Sequence, residues 1–234
     1  MRIGALIALD ESASAHLVRV LRLAVGDTCV LFNGDGHDYS ARLVSVEKRS
    51  SRVEITQCAA ITNESPLRIT LVQGIARGEK MDMILQKACE LGVSAIAPVL
   101  TEHTEVKLDE QRSRKRMQHW QGVLIAACEQ SGRARLPQLF EPQSLTDYLS
   151  LKNEHTIRLI LDPYADKTLT TLSVPADSSL ALVIGPEGGL SERDLTALRA
   201  SGAMGIQLGP RILRTETAGL AAIAALNALY GDWR

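Results

Sequence analysis

Apolar and polar positions change rhythm near residue 65. Before it the pattern is strand-like. In TCVLFNGDGHDYSARLVSVEK two runs flank Asn33-Gly34-Asp35-Gly36, residues that tolerate positive φ, so a hairpin is predicted. SRVEITQCA alternates and predicts a further strand, while one helix, roughly Ser14 to Leu23, interrupts the series. TNESP, ending in Pro66, reads as a linker. Residues 1–65 are therefore expected to form a small barrel-like β domain.

From Leu67 strands and helices alternate. LRITLVQGI is strand-like. EKMDMILQKACELGV places Met81, Ile84, Leu85, Ala88 and Leu91 at helical spacing, with Gly92 at the C-terminal cap position. SAIAPVL reads as a buried strand, and DEQRSRKRMQHWQGVLIAACEQSG as a long helix with Met117, Trp120, Leu124 and Ala127 as its apolar stripe. TIRLILD and LALVIG are short apolar runs of the kind that fill parallel sheets. Ser191 and Asp194 make a capping box, flanked by Leu190 and Leu195 at the hydrophobic-staple positions. That helix ends at Ser201-Gly202, and GIQLG follows as a strand. Residues 66–234 thus predict an α/β domain with a mostly parallel sheet.

Composition adds limits. Net charge is −1, so no overall field points to nucleic acid and only a local basic face would serve. The four cysteines, Cys29, Cys58, Cys89 and Cys128, form no C-x-x-C pair or zinc-spaced cluster. Reduced thiols in a cytoplasmic protein without metal are expected. MRIGALIALDESAS turns acidic too soon for a signal peptide. AGLAAIAALNALY is too short to span a bilayer and carries Asn227, so no membrane is expected.

Candidate chemistry lies in two Gly-Pro loops, Gly185-Pro186-Glu187-Gly188-Gly189 and Gly209-Pro210, each following a strand. Ligands of parallel sheets bind at the carboxyl ends of strands. One such loop reads as an ordinary β–α turn; two, on strands expected to be neighbours, read as a binding site. Neither a G-x-G-x-x-G nor a P-loop pattern is present, and the first loop carries only Glu187 as a charge. A ligand with an adenine ring and a positive centre suits such a pocket better than a triphosphate.

GPEGGLSERDL followed by LGPRILRTETAGLAAIAAL resembles the signature of the SPOUT methyltransferases, and within them the bacterial 16S ribosomal RNA uracil-N3 methyltransferases. RGEKMDMILQKACELGV, AACEQSGR and HLVRVLRL are similar to that family's remaining motifs, so the likeness covers nearly the whole chain. The resemblance implies a PUA-like RNA-binding β-barrel at 1–65. It also implies a SPOUT α/β-knot domain at 66–234, whose C-terminal trefoil knot holds S-adenosylmethionine. It further implies a homodimer, with the active site near the subunit interface, acting on 16S rRNA or the small ribosomal subunit.

Carried over by position, the cofactor residues would be Leu161 and Pro163; Ile184, Gly185, Pro186, Glu187, Gly188 and Gly189; and Leu208, Gly209, Ile212, Leu213, Arg214 and Thr217. Backbone groups of Leu208, Ile212 and Leu213 would meet the adenine edge, with Leu161, Ile184 and Leu213 enclosing its faces. Uracil N3 must lose its proton before it attacks a methyl group, which needs a base or anion-stabilising cations. Arg214, Glu129 and Arg133 are the catalytic candidates, Arg214 for the developing anion and Glu129 as proton acceptor. Glu129 equally reads as a solvated charge, and Arg214 as the partner of Glu216 or Glu187. Cys128, inside a helix with no adjacent base, reads as a packed thiol rather than a nucleophile.

RNA contacts are expected from Arg2, Arg19 and Arg22, from Arg112 and Arg116 within a basic cluster, and from Arg211. Arg19 and Arg22, three apart on the expected helix, would share one side. The basic residues of the first domain also include Arg42, Lys48, Arg49 and Arg52, offset by eight acids. The C-terminal helix carries Ala218, Ala221, Ala222 and Ala225 on a small-residue face, open either to packing within the knot or to a dimer partner. Two other functions stay open. One is a SPOUT methyltransferase with another RNA target, such as a ribose 2′-hydroxyl; the other is a non-catalytic ribosome-assembly factor that binds RNA.

Overall fold

The computed structural model describes residues 1–47, 50–106, 109–151, 156–175 and 178–233; Lys48 and Arg49 lie outside them. The chain divides into two units, Met1–Glu64 with Gly132–Arg135, and Ser65–Ser131 with Leu136–Arg234.

The first unit is a four-stranded antiparallel sheet of β1 (Leu6–Leu9), β2 (Thr28–Phe32), β3 (His37–Val46) and β4 (Ser51–Ala60), in the order β1-β4-β3-β2. Strand alternation turns Tyr39, Ala41, Leu43, Val53 and Ile55 onto one face, where Leu17 completes the core. The hairpin forms around Asn33–Gly36. Asp35 accepts from the amide of His37 at 3.0 Å and from the Tyr39 hydroxyl at 2.7 Å. The Tyr39 bond leads in holding the Asp35 carboxyl down at about 2.

The helix of this unit differs from expectation. Asp10 caps it, accepting from the Ala13 amide at 2.8 Å, so α1 begins at Glu11 and runs to Ala15. A π-helical turn, His16–Val20, continues it. Arg22 then takes φ 56° and the Leu23 amide returns to the Leu17 carbonyl, which ends the helix before Arg22. Arg19 and Arg22 therefore do not share a helical side.

The unit is also discontinuous in sequence. Gly36 donates its amide to the Ala134 carbonyl at 3.0 Å, and Asn63 Nδ2 donates to the Gly132 carbonyl at 2.7 Å. Arg133, only 6% exposed, grips Glu64 through Nε at 3.0 Å and Nη2 at 2.5 Å.

The second unit holds a parallel sheet in the order β11-β9-β10-β5-β6-β7, with β8 also paired to β6. Its strands are β5 (Arg68–Gly74), β6 (Ala95–Leu100), β7 (Gln138–Leu139), β8 (Gln143–Ser144), β9 (Thr156–Leu161), β10 (Ser179–Ile184) and β11 (Met204–Ile206). β9 lies between β10 and β11, so the strands preceding the two Gly-Pro loops are not neighbours. The loop after β9 separates them.

One face of the sheet, with Val72, Ala97, Ile160, Ala181 and Val183, packs against Leu145 of α4 (Leu145–Ser150) and Leu198 of α5 (Glu192–Ala200). On the other face Gly219 of α6 (Thr215–Tyr230) lies over Leu71 and Ile184. α2 (Glu79–Glu90) packs against both α6 and α3 (Glu110–Ser131). Of the alanine face, Ala222 is fully buried, whereas Ala218, Ala221 and Ala225 are half-buried. Buried Asn227 donates to the Leu91 carbonyl at 2.7 Å and accepts from Ser65 Oγ at 2.8 Å, satisfying a carbonyl that the end of α2 leaves open. Among the described residues no helix is long and apolar enough to cross a membrane, and no cluster of three metal-ligating side chains occurs.

Candidate functional site

The carboxyl ends of β9 and β10, with the start of α6, enclose a cavity of about 530 Å³. That volume suits a drug-sized ligand. Its three walls have different origins. Leu161, Asp162, Pro163 and Tyr164 follow β9; Ile184 to Glu187, Gly189 and Leu190 follow β10; Ile212, Leu213 and Arg214 lead into α6. Asp162, Glu187, Glu192 and Glu216 outnumber Lys80 and Arg214 as charges in the lining.

The wall after β10 is held at successive residues. Thr215 Oγ1 donates to the Gly185 carbonyl at 2.6 Å, and the Gly189 amide closes a turn on the Pro186 carbonyl at 2.9 Å. His103 Nδ1 donates to the Gly188 carbonyl at 2.9 Å. Glu187 accepts from the Arg77 amide at 3.1 Å, and Lys80 Nζ lies 3.3 Å from it. Burial pushes the Glu187 carboxyl up, but its own amide, the Arg77 amide and Lys80 together hold it below the ordinary value. Past this wall, Ser191 and Asp194 form the expected capping box of α5: the Ser191 amide donates to Asp194 Oδ2 at 3.1 Å, and the Asp194 amide donates to Ser191 Oγ at 3.1 Å.

Two glycines are required sterically. A Cβ at Gly74, where β5 ends, would stand 2.5 Å from the Pro186 nitrogen, and one at Gly185 would stand 2.8 Å from the Gly189 carbonyl carbon. Backbone lies at both points and has no room to give.

The wall before α6 is open. Ile212 is 76% exposed. Among the described residues, the amides and carbonyls of Leu208, Ile212 and Leu213 make no backbone hydrogen bond. Arg214 is exposed at the N-cap of α6, with no carboxylate at ion-pair distance among the described residues. Among the described residues the alternative ion pairs are thus not formed: Lys80 and the Arg77 amide take Glu187, and Glu216 Oε2 is buried without a partner. The wall after β9 is tied to β11 by Asp162 N–H on the Ile206 carbonyl at 3.0 Å and Gln207 Nε2 on the Pro163 carbonyl at 2.8 Å.

A smaller cavity of about 70 Å³ shares Leu161, Pro163 and Leu213 with the first and adds Leu208, Gly209 and Arg211. Most of the expected cofactor segments therefore converge. Gly188 and Thr217 line neither cavity; the Gly188 carbonyl serves His103, and Thr217 is exposed one turn into α6.

Of the catalytic candidates only Arg214 lines the cavity. Glu129 is exposed on the last turn of α3. Arg133 lines neither cavity; its guanidinium is buried against Glu64 in the first unit. Arg2, Arg19, Arg22 and Arg112 are exposed and Arg116 is half-buried. Arg112 lies 3.3 Å from Asp109 and Arg114 lies 2.8 Å from Glu110, so the helical basic cluster is partly neutralised. Cys128 is fully buried, its sulfur 3.5 Å from that of Cys89.

Sequence reading passed over Gln73, Gly74, Lys80 and His103. Gln73-Gly74 left one signal, a polar side chain and a glycine closing a run of apolar residues. His103 left none, because its partner lies in a distant loop.

Comparison with known proteins follows the same division. Residues 63–227 match the model of the RNA methyltransferase domain, and 9–56 match that of the RNA methyltransferase PUA domain. Ribosomal RNA small subunit methyltransferase E of Buchnera aphidicola (from Schizaphis graminum) is 32% identical, over 99% of this chain and 94% of its own. The Bacillus subtilis protein of that name is 31% identical, over 91% of this chain and 86% of its own. Among solved structures, the Neisseria gonorrhoeae Ribosomal RNA small subunit methyltransferase E, bound to S-adenosyl methionine, superposes with a TM-score of 0.94. It is 39% identical, covering 100% of this chain and 96% of that one. A Legionella pneumophila structure with bound SAM also gives 0.94, at 40% identity over 99% and 95% of the two chains.

Proposed function

Because the chain belongs to the RNA methyltransferase family, PUA domain included, we propose that it methylates N3 of a uracil in 16S ribosomal RNA, using S-adenosylmethionine. The observation that carries this reading is the cavity itself, with one wall bonded in advance and one whose backbone is unengaged. The residues present fit the cofactor. Leu161, Ile184 and Leu213 offer apolar faces for adenine, while the free amides and carbonyls of Leu208, Ile212 and Leu213 suit its hydrogen-bonding edge. Excess acid in the lining suits a ligand bearing a sulfonium. When bound, that ligand supplies an electrophilic methyl group.

The chain's own residues then have three tasks. The walls hold the donor and exclude water from its reactive end. Arg214, exposed in the cavity lining and with no competing carboxylate among the described residues, stabilises negative charge on the uracil as its N3 proton leaves. Glu129 takes that proton, so that the new N–C bond forms as the S–C bond breaks. Since Glu129 lines neither cavity of its own copy, its role requires the second copy of a homodimer. Arg2, Arg19, Arg22, Arg112, Arg116 and Arg211 meet RNA phosphates, and the protein works in the cytoplasm.

Calorimetric titration with S-adenosylmethionine, then mass mapping of methylated nucleosides in ribosomes from a deletion strain, tests the reading. Saturable binding and loss of one N3-methyluridine are expected. An unchanged nucleoside profile would refute the target. For the homodimer, mixing Glu129→Gln with Arg214→Ala chains should restore activity that neither has alone.

A further inference from the structure

Gln73 is wholly buried near the end of β5, where its neighbours Leu71 and Val72 are apolar and fully buried. Its Nε2 donates to the Gly74 carbonyl at 2.9 Å and to Thr215 Oγ1 at 3.0 Å. Thr215 passes its own hydrogen to the Gly185 carbonyl at 2.6 Å. The polarity is unambiguous, because an amide nitrogen only donates and a carbonyl only accepts. One relay therefore runs from the end of β5, through the first residue of α6, to the first residue of the bend after β10.

The middle and the far end of that relay belong to different walls of the cavity. Gly185 opens the anchored wall, and Thr215 directly follows Arg214 in the open one. Gln73 Oε1, meanwhile, is buried without a partner among the described residues, on the side where a methyl added at Gly219 would stand 3.8 Å away. A purely structural residue at this site would be apolar, since an apolar replacement removes an unsatisfied oxygen. The donor end is what the site retains.

We propose that Gln73 and Thr215 are positioning residues for the methyl donor: their relay sets the spacing between the Gly185 bend and the Ile212–Arg214 segment. This deepens the methyltransferase reading and rests on it. Neither side chain is required to touch the donor; each acts through backbone that does.

The test uses the full-length chain and its Thr215→Val, Thr215→Ser and Gln73→Met variants. Each is titrated with S-adenosylmethionine, melted, and assayed for methyl transfer to small-subunit ribosomal RNA. Thr215→Val and Gln73→Met should lose roughly three- to tenfold in donor affinity, the worth of one buried hydrogen bond. Thr215→Val should also melt a few degrees lower, because the bond is made without ligand. KM for RNA should hold in both, and Thr215→Ser, which keeps the hydroxyl, should bind as the parent does. Parent-like binding by Thr215→Val overturns the proposal, as does an equal loss in Thr215→Ser. Should Thr215→Val fail to fold, Gln73→Met decides on the same criterion. A parent chain that binds no donor would sink the methyltransferase reading itself, and this proposal with it, a result distinct from any difference among variants.

Discussion

After β10, the Gly-Pro bend is bonded at Gly185, Pro186, Glu187 and Gly188, by Thr215, Gly189, Arg77 and His103 in turn. After β11, the Gly-Pro bend runs into Ile212 and Leu213 with no backbone bond among the described residues and with Ile212 in solvent. On paper the two segments look alike. Their contrast separates two tasks that a binding site must perform. One wall is shaped before anything arrives, which lowers the ordering cost of binding. The other keeps main-chain groups free, so that they can be spent on a ligand.

Substitutions at the paired glycines should expose that division. Gly185→Ala drives a methyl into the Gly189 backbone. We expect a loss of about 3 kcal/mol in stability and a flat titration with S-adenosylmethionine; ordinary binding would show that the bend is not held as described. Arg214→Ala comes next. It should lower kcat by about 10²–10³-fold while donor affinity stays within about threefold, read by radiolabel transfer and calorimetry. A large loss of affinity instead would make Arg214 part of the donor's seat.

Gly209→Ala is the milder counterpart of Gly185→Ala. Nothing lies within 4 Å of the added carbon, but the residue holds φ +87°, so about 1 kcal/mol of backbone strain is expected and binding should persist. Glu187 sharpens the contrast through pH. Its carboxyl is held below the ordinary value of 4.5, so its stabilisation is complete above about pH 4.5 and disappears as pH falls through the lower folded value. The melting temperatures of Glu187→Gln and the parent should therefore converge on acidification; a constant gap would contradict this. Cys128→Ala, outside both bends, should cost about 1 kcal/mol for a lost buried sulfur and leave methyl transfer intact.

Local signals carried much of this into the sequence. The Ser191 capping box, the apolar stripe of α2 and the hairpin around Gly34 each depend on neighbours within four residues, and each formed where the pattern placed it. Helix ends were harder. Asp10 started α1 early, and the positive φ of Arg22 stopped it before the expected end. Strand order was not legible at all. Placing β9 between β10 and β11 depends on how the chain crosses over, which no run of apolar residues encodes. The cavity segments could be named through family likeness, yet the struts behind them, Gln73 and His103, act over separations that periodicity does not reach. The Arg133 clasp was hidden for the same reason: a charge beside a helix end gives no hint that Glu64 waits 69 positions earlier.

That clasp has a consequence for how the molecule is made. Residues up to Glu64 leave the ribosome first, but the segment that fastens their fold, Gly132–Arg135, emerges only after the whole of α3. An amino-terminal domain usually finishes before the next begins; here the last piece of the leading unit is made only after α2 and α3. The Arg133–Glu64 clasp can close only once those two helices have been translated.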